Sequence, residues 1–168
     1  MIAKELTKVD IEKIKEEIRY RQVELAPTLR AEVTRTREFG DLSENAEYKE
    51  AKRAKRQNDS RIRYLEALIR NASVIEIKES PDEICLFDRV TIRNEKTGAE
   101  KKIQIVTTLR QNALLGYVSK ESPLGQALMG KRVGDRALVT VNENMSYHVT
   151  VLALEKGEDN IDLPISGY

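Results

Sequence analysis

Three carboxylates crowd one short run, Gly40-Asp41-Leu42-Ser43-Glu44-Asn45-Ala46-Glu47-Tyr48. Asp41 and Glu44, three apart, have the form of a capping box, in which each acid satisfies an orphan backbone donor at a helix start. Acids in a first helical turn are also favoured by the helix macrodipole. Two details point the other way. Ser43 is an equally good cap, which would free Asp41 to point outward. Asp41, Glu44 and Glu47 together also bring more negative charge than one cap requires.

Next to the acids lies the densest basic stretch of the chain. Lys49, Lys52, Arg53, Lys55, Arg56, Arg61 and Arg63 face only Glu50 and Asp59. Such a run reads either as a solvated helix face or as a surface for a polyanion. The whole chain is nearly neutral at +1, but residues 1–72 carry 17 Lys/Arg against 14 Asp/Glu, and residues 73–168 carry 12 against 14.

These groups need elements to position them. From Asp10, a candidate N-cap, Ile11, Ile14, Ile18, Leu25, Leu29 and Val33 recur at spacings of three, four or seven, the stripe of a helix seam. Pro27 removes one donor and predicts a kink rather than an end, because the stripe resumes at Leu29. Gly40 suits a left-handed helix stop. A second stripe runs through Ala51, Ile62, Leu65, Ile69 and Ala72, with Lys55 and Asn58 at seam positions between. Glycine and proline are absent from Asp41 to Ser80, which favours one long helix. Two such helices joined by a short turn lie antiparallel with their stripes together. About 30 residues at ~1.5 Å rise make a rod on the order of 45 Å long, with a free tip.

From about Val74 the pattern changes to short apolar or alternating runs. Residues 84–87, 90–92, 103–106, 114–118, 137–141 and 149–154 read as strands. Asn94 to Gly98 reads as a hairpin turn, and Pro123 to Gly130 as a short helix with proline early and glycine past the end. The fold class expected is therefore α+β: residues 1–75 a helical coiled-coil hairpin with an acidic tip, residues 76–168 a small, mostly β domain.

Composition excludes several classes. Hydrophobic residues are 40%, charged residues 34% and aromatics 5%, with a mean hydropathy of −0.53, as expected where part of a chain has little core. No apolar run approaches the ~18 residues of a membrane helix, and Met1 to Glu5 lacks the layout of a secretory signal. One cysteine, Cys85, builds neither an internal disulfide nor a thiolate metal site, and is most simply a small buried residue. His148, beside Tyr147 in a strand, reads as structural or exposed rather than as a ligand. A cytoplasmic protein with no membrane partner is expected.

Gly-Asp-Leu-Ser-Glu-Asn-Ala-Glu-Tyr-Lys-Glu-Ala-Lys at 40–52 resembles the N-terminal signature of the GreA/GreB family of bacterial transcription elongation factors. Ser122-Pro123-Leu124-Gly125-Gln126-Ala127-Leu128-Met129-Gly130-Lys131-Arg132-Val133-Gly134-Asp135 resembles its C-terminal signature, and Pro27 falls in the helix where these proteins carry one. The resemblance implies an N-terminal antiparallel coiled coil and a C-terminal domain similar to FK506-binding proteins (FKBP-like). It further implies that the globular domain docks at the rim of the RNA polymerase secondary channel while the coiled coil reaches the active site. The family's tip acids map onto Asp41 and Glu44, which by this likeness help hold a second Mg²⁺, shared with polymerase, and orient a water for transcript hydrolysis. That fits elementary chemistry. Mg²⁺ wants about six oxygens, so two carboxylates bind it weakly, and two-metal cleavage sets the ions ~3.5–4 Å apart.

By the same resemblance Arg37 and Lys52 contact the nascent RNA 3′ end, with Arg53, Lys55 and Arg56 as further candidates. Ordinary surface ion pairing is the other reading of these bases. Glu121, Ser122 and Pro123 map to polymerase-docking positions, although a proline opening a helix has a local explanation. The implied protein is a monomeric stimulator of the polymerase's own cleavage activity and no enzyme by itself. Three rivals stand beside it: a channel-binding regulator that inhibits or modulates pausing without cleavage, a prolyl isomerase, and a coiled-coil adaptor. Retention of both Asp41 and Glu44 argues against the first. No Trp and two Phe argue against an aromatic isomerase pocket, since fold alone does not carry function. The dense acidic motif argues against the third.

Overall fold

The computed structural model describes residues 5–38, 45–160, 162 and 165. Within them the chain divides into two compact units, one holding the described residues between 11 and 72, the other residues 5–10 and 73–160. The architecture is mixed α+β.

Helix α1 (Lys8–Tyr20) runs through a π-helical stretch, Arg21–Leu25, into α2 (Ala26–Arg37). Pro27 falls in the first turn of α2, and the Ala26 amide reaches back five residues to the Arg21 carbonyl. The interruption that Pro27 predicts is thus taken up as a π turn, a form that releases the i→i−4 ladder where proline offers no donor. Helix α3 (Ala46–Arg70) is unbroken over 25 residues. Polar contacts pair Thr36 with Asn45, Arg35 with Glu47, Arg21 with Asn58 and Glu17 with Arg61. Falling numbers on one side meet rising numbers on the other, so the rods run antiparallel.

Their seam follows the stripes. Ile14 is fully buried, with Ile11, Ile18, Leu25, Leu29 and Val33 half-buried. On α3 Ala51, Leu65 and Leu68 are buried. Between them the buried side chain is Asn58, whereas Lys55 stays partly exposed. No helix among the described residues is long and apolar enough to cross a membrane.

In the second unit β1 (Glu5–Leu6) pairs in parallel with β2 (Ser73–Val74). A five-stranded sheet follows: β3 (Arg89–Asn94), β4 (Glu100–Val106), β5 (Tyr117–Ser119), β6 (Arg136–Asn142) and β7 (Met145–Glu155), in the order β5-β4-β3-β7-β6. All pairs are antiparallel except β4 with β5. At the β3–β4 turn Asn94 Oδ1 accepts from the Lys96 and Thr97 amides, and Gly98 takes a φ of +69°. Helix α4 (Pro123–Leu128) sends Leu128 into the core beside Phe87, Val90, Ile105 and Val139.

Two expected strands differ. Residues 84–87 form no strand. Phe87 has a φ of +71°, and the Asp88 carboxylate accepts from the Cys85 amide at 2.8 Å. The run is apolar because it is buried from several sides, and such a run has no periodicity to separate a strand from a buried turn. Residues 113–115 form a 3₁₀ turn under an Asn112 cap, so β5 begins only at Tyr117.

The second unit also encloses a charge. Arg110 is 1% exposed and donates from Nε to Asp10 Oδ1 at 2.5 Å and from Nη1 to the Asn160 carbonyl at 2.8 Å. Asp159 Oδ1 lies 2.8 Å from Nη1, an ion pair in which the carboxylate oxygen sits off the N–H axis. Asp10 is itself held by the Thr7 amide, and Thr7 Oγ1 donates to Asp159. One guanidinium thereby joins the start of α1, the turn after β4 and the segment after β7. Removing one partner of a buried ion pair strands the other's charge, at about 3–5 kcal/mol. Arg110→Met is expected to lose about that much, read as a lower midpoint in urea unfolding of the full chain.

Candidate functional site

Asp41 and Glu44, with Gly40 and Ser43, lie outside the described residues. The helix ends on either side of them are defined. α2 ends at Arg37, and α3 begins behind Asn45 in extended conformation, φ −74° and ψ 99°. Asn45 Oδ1 accepts from the Tyr48 amide at 3.0 Å, and Asn45 Nδ2 donates to the Thr36 carbonyl at 2.9 Å. The cap of α3 is therefore Asn45, in place of the Asp41 or Ser43 considered from spacing. A carboxamide offers a donor as well as an acceptor, so it serves the start of one helix and the end of the other at once. The signal was present, since Asn ranks with Ser and Asp at this position.

Around this junction Arg35 Nη2 lies 2.6 Å from Glu32 and 3.5 Å from Glu47, bridging the two helices. The hydrogen bond between them lowers the Glu32 pKa and raises that of Arg35. Arg37 is exposed. So are Lys49, Lys52, Arg53 and Arg56, which share one face of α3 at spacings of three and four. Lys52 Nζ sits 5.2 Å over the Tyr48 ring, and Arg53 is 3.8 Å from Glu50. Lys55 is turned aside and bonds Asp59 at 2.8 Å. Of the five bases singled out from sequence, Arg37, Lys52, Arg53 and Arg56 are thus presented to solvent, and Lys55 is engaged in its own helix.

Further along the pair sits a second polar group that sequence reasoning missed. Glu17 accepts from Arg21 Nε at 2.7 Å and from Arg61 at 3.0 and 3.2 Å. Burial opposes its ionisation, but the bonds from Arg61 and Arg21 outweigh this and hold its pKa below the ordinary 4.5.

In the β unit Glu121 and Pro123 are exposed and Ser122 is half-buried. Ser122 caps α4, accepting from the Gly125 amide at 3.0 Å and donating to the Ser119 carbonyl at 2.7 Å. This loop is shaped by close packing. A Cβ on Gly125 would stand 2.1 Å from the Ser119 oxygen and 2.8 Å from Lys120 Cα. Cys85 is buried, as its small apolar character suggested.

Two substitutions check these placements. Asn45→Ala removes a cap and an interhelix bond, and is expected to cost about 1–2 kcal/mol in urea unfolding monitored by helical circular dichroism. Gly125→Ala meets backbone on two sides and is expected to cost about 1–3 kcal/mol. Amide exchange rates at Ser119 to Gln126 should rise with it, while those in α3 stay unchanged.

Comparison with known proteins bears on both regions. Residues 4–74 match the model for the transcription elongation factor GreA/GreB N-terminal domain, and residues 79–156 match that for the GreA/GreB C-terminal domain. A transcription elongation factor GreA from Thermotoga sp. (strain RQ2) is 36% identical over 90% of this chain and 97% of its own length. One from Chelativorans sp. (strain BNC1) is 42% identical over 82% of this chain and 87% of its own. Among solved structures, GreA factor homolog 1 (Gfh1) of Thermus thermophilus aligns with 92% of this chain and 99% of its own, at 24% identity and a TM-score of 0.42, a superposition too loose to inform function. With both halves matched in order and relatives covered almost end to end, the chain belongs to the GreA/GreB family of transcription elongation factors.

Proposed function

We propose that this protein is an elongation factor that stimulates RNA polymerase to cut the 3′ end of a backtracked transcript, and so rescues arrested complexes. One observation carries the reading. The family's acidic signature, with both Asp41 and Glu44 retained, falls between the ends of two antiparallel helices.

In this reading the helical pair is a coiled coil that enters the secondary channel, and residues 76–168 form an FKBP-like domain that docks at its rim through Glu121, Ser122 and Pro123. The loop suits docking, since Glu121 and Pro123 are exposed while the Ser122 cap and the Gly125 contact fix its backbone. The protein acts as a monomer in the cytoplasm.

At the far end Asp41 and Glu44 contribute carboxylate oxygens, the hard donors that Mg²⁺ prefers. Two such donors fit the ion only in part, so the remaining ligands come from polymerase, water and the transcript. When bound there, Mg²⁺ supplies positive charge at the scissile phosphate. The carboxylates orient a water by accepting hydrogen bonds from it, and the exposed Arg37, Lys52, Arg53 and Arg56 meet the phosphates of the displaced 3′ segment. Lys55 joins them only by leaving Asp59. An exposed i,i+4 pair is worth about 0.3–0.5 kcal/mol, so that exchange is cheap.

The test uses a cognate polymerase stalled in a backtracked complex with Mg²⁺. The parent protein is expected to release short 3′ fragments. Asp41→Asn and Glu44→Gln should each slow that release by at least about 10-fold, since disturbing even the residues behind a metal's ligands costs about 10- to 100-fold. Equal cleavage by parent and variants overturns the reading, as does RNA cleavage by the isolated protein.

A further inference from the structure

Half-way along the helical pair, the amide of Asn58 touches one residue twice. Arg21 Nη1 donates to Asn58 Oδ1 at 3.1 Å, and Asn58 Nδ2 donates to the Arg21 carbonyl at 3.4 Å. That carbonyl opens the π turn and also accepts from the Ala26 amide. Arg21 Nε is fixed in turn by Glu17, whose other oxygen takes Arg61 from α3. Asn58 is 3% exposed, so both ends of its amide need partners.

The apolar seam cannot supply the same definition toward the tip. Among the described residues the fully buried apolar side chains there are Ala26 and Ala51, with Leu29 and Val33 only half-buried, while larger buried ones, Ile14, Leu65 and Leu68, lie toward the other end. Small side chains meet equally well after a slip. The Asn58 amide does not. One turn of sliding moves it ~5.4 Å from Arg21, leaves it buried and unbonded, and parts Arg61 from Glu17. A polar group in a seam is the best-attested means of fixing helix register.

We propose that Asn58 is a positioning residue for transcript cleavage: by reading both the side chain and the carbonyl of Arg21 at the π turn, it sets the axial register of α3 against α2. Asp41 and Glu44 lie in sequence between Arg37, which ends α2 some 16 residues or ~24 Å beyond Arg21, and Asn45, which caps α3, so the register sets where the two helix ends that flank them stand. The inference rests on the cleavage reading above. A misplacement of even 1 Å is enough to cost a reaction about 100-fold.

The test compares Asn58→Leu and Asn58→Asp in the full chain. Leucine fills the seam without reading register; aspartate keeps the acceptor for Arg21. Spin labels at Arg30 and Gln57, in a Cys85→Ser background, report the interhelix distance. Asn58→Leu is expected to keep its helicity but broaden the distance distribution. Its maximal cleavage rate at saturating factor should fall by about 10-fold or more, with an unchanged half-saturating concentration for polymerase. Asn58→Asp, which keeps the acceptor for Arg21 Nη1 but loses the donor to its carbonyl, should recover only part of the narrow distribution and of the rate. If Asn58→Leu does not fold, Asn58→Ser, too short to reach Arg21, takes its place. A narrow distribution with parental cleavage in the seam variant overturns the proposal, and so does a loss confined to polymerase affinity. If the parent itself does not cleave, the functional reading falls, while the distance measurement still decides the register lock.

Discussion

Two helices that meet along one seam have a row of side chains rather than a core with which to fix themselves. Here the row is thin: among the described residues its fully buried members are alanines toward the tip, beside half-buried Leu29 and Val33, and full-sized aliphatics toward the other end. Apolar contact of that kind favours association but is nearly indifferent to sliding. What remains to hold the geometry is directional bonding, and the helical unit has it at two levels. Asn45 joins the end of α2 to the start of α3, and Asn58 with Glu17, Arg21 and Arg61 joins the middle. Both asparagines serve because an amide donates and accepts at once, which neither a carboxylate nor an alkyl side chain does.

The β unit meets the opposite constraint. It has a proper core, yet the first turn of α1 and the segment after β7 must be brought to it. Arg110 does this from inside, bonded to Asp10 on one side and to Asn160 on the other, with its guanidinium 5.3 Å from the Phe87 ring. A buried guanidinium flanked by two carboxylates is a demanding arrangement, since desolvation of each charge must be offset by geometry. In return it ties segments 100 residues apart in sequence. Tight packing elsewhere in the unit is of the same kind: Gly125 and Gly157 each pass so close to a carbonyl that a side chain has no room.

How far the sequence revealed this depends on the range of each interaction. The helix stripes and most strands repeat at fixed periods, so Ile14, Leu65, Val90 and Ile105 were readable from their neighbours. The run from Ile84 to Phe87 was not, because burial from several sides erases alternation. The Asn45 cap was local and could have been found, but acids compete for the same signature. Arg110 with Asp10, and Arg21 with Asn58, were out of reach in principle. Each partner looks like one more charged or polar residue until the fold brings them together. The two acids that carry the proposed chemistry were legible through a motif rather than through any physical periodicity.

That asymmetry follows from where function sits in such a protein. A residue that works inside another macromolecule makes few contacts within its own chain, so folding rules leave it unmarked. The residues that aim it are the reverse: they bond within the chain and have no motif of their own. Arg21 and Asn58 are of this second kind. A π turn replaces the i→i−4 bond with one reaching back five residues, and here the Arg21 carbonyl that accepts it from Ala26 is also the one that Asn58 binds. The proline that disturbs the helix and the asparagine buried opposite it are therefore parts of one arrangement. The irregularity near Pro27 gives the rod a fixed point that an unbroken helix with an alanine seam would lack.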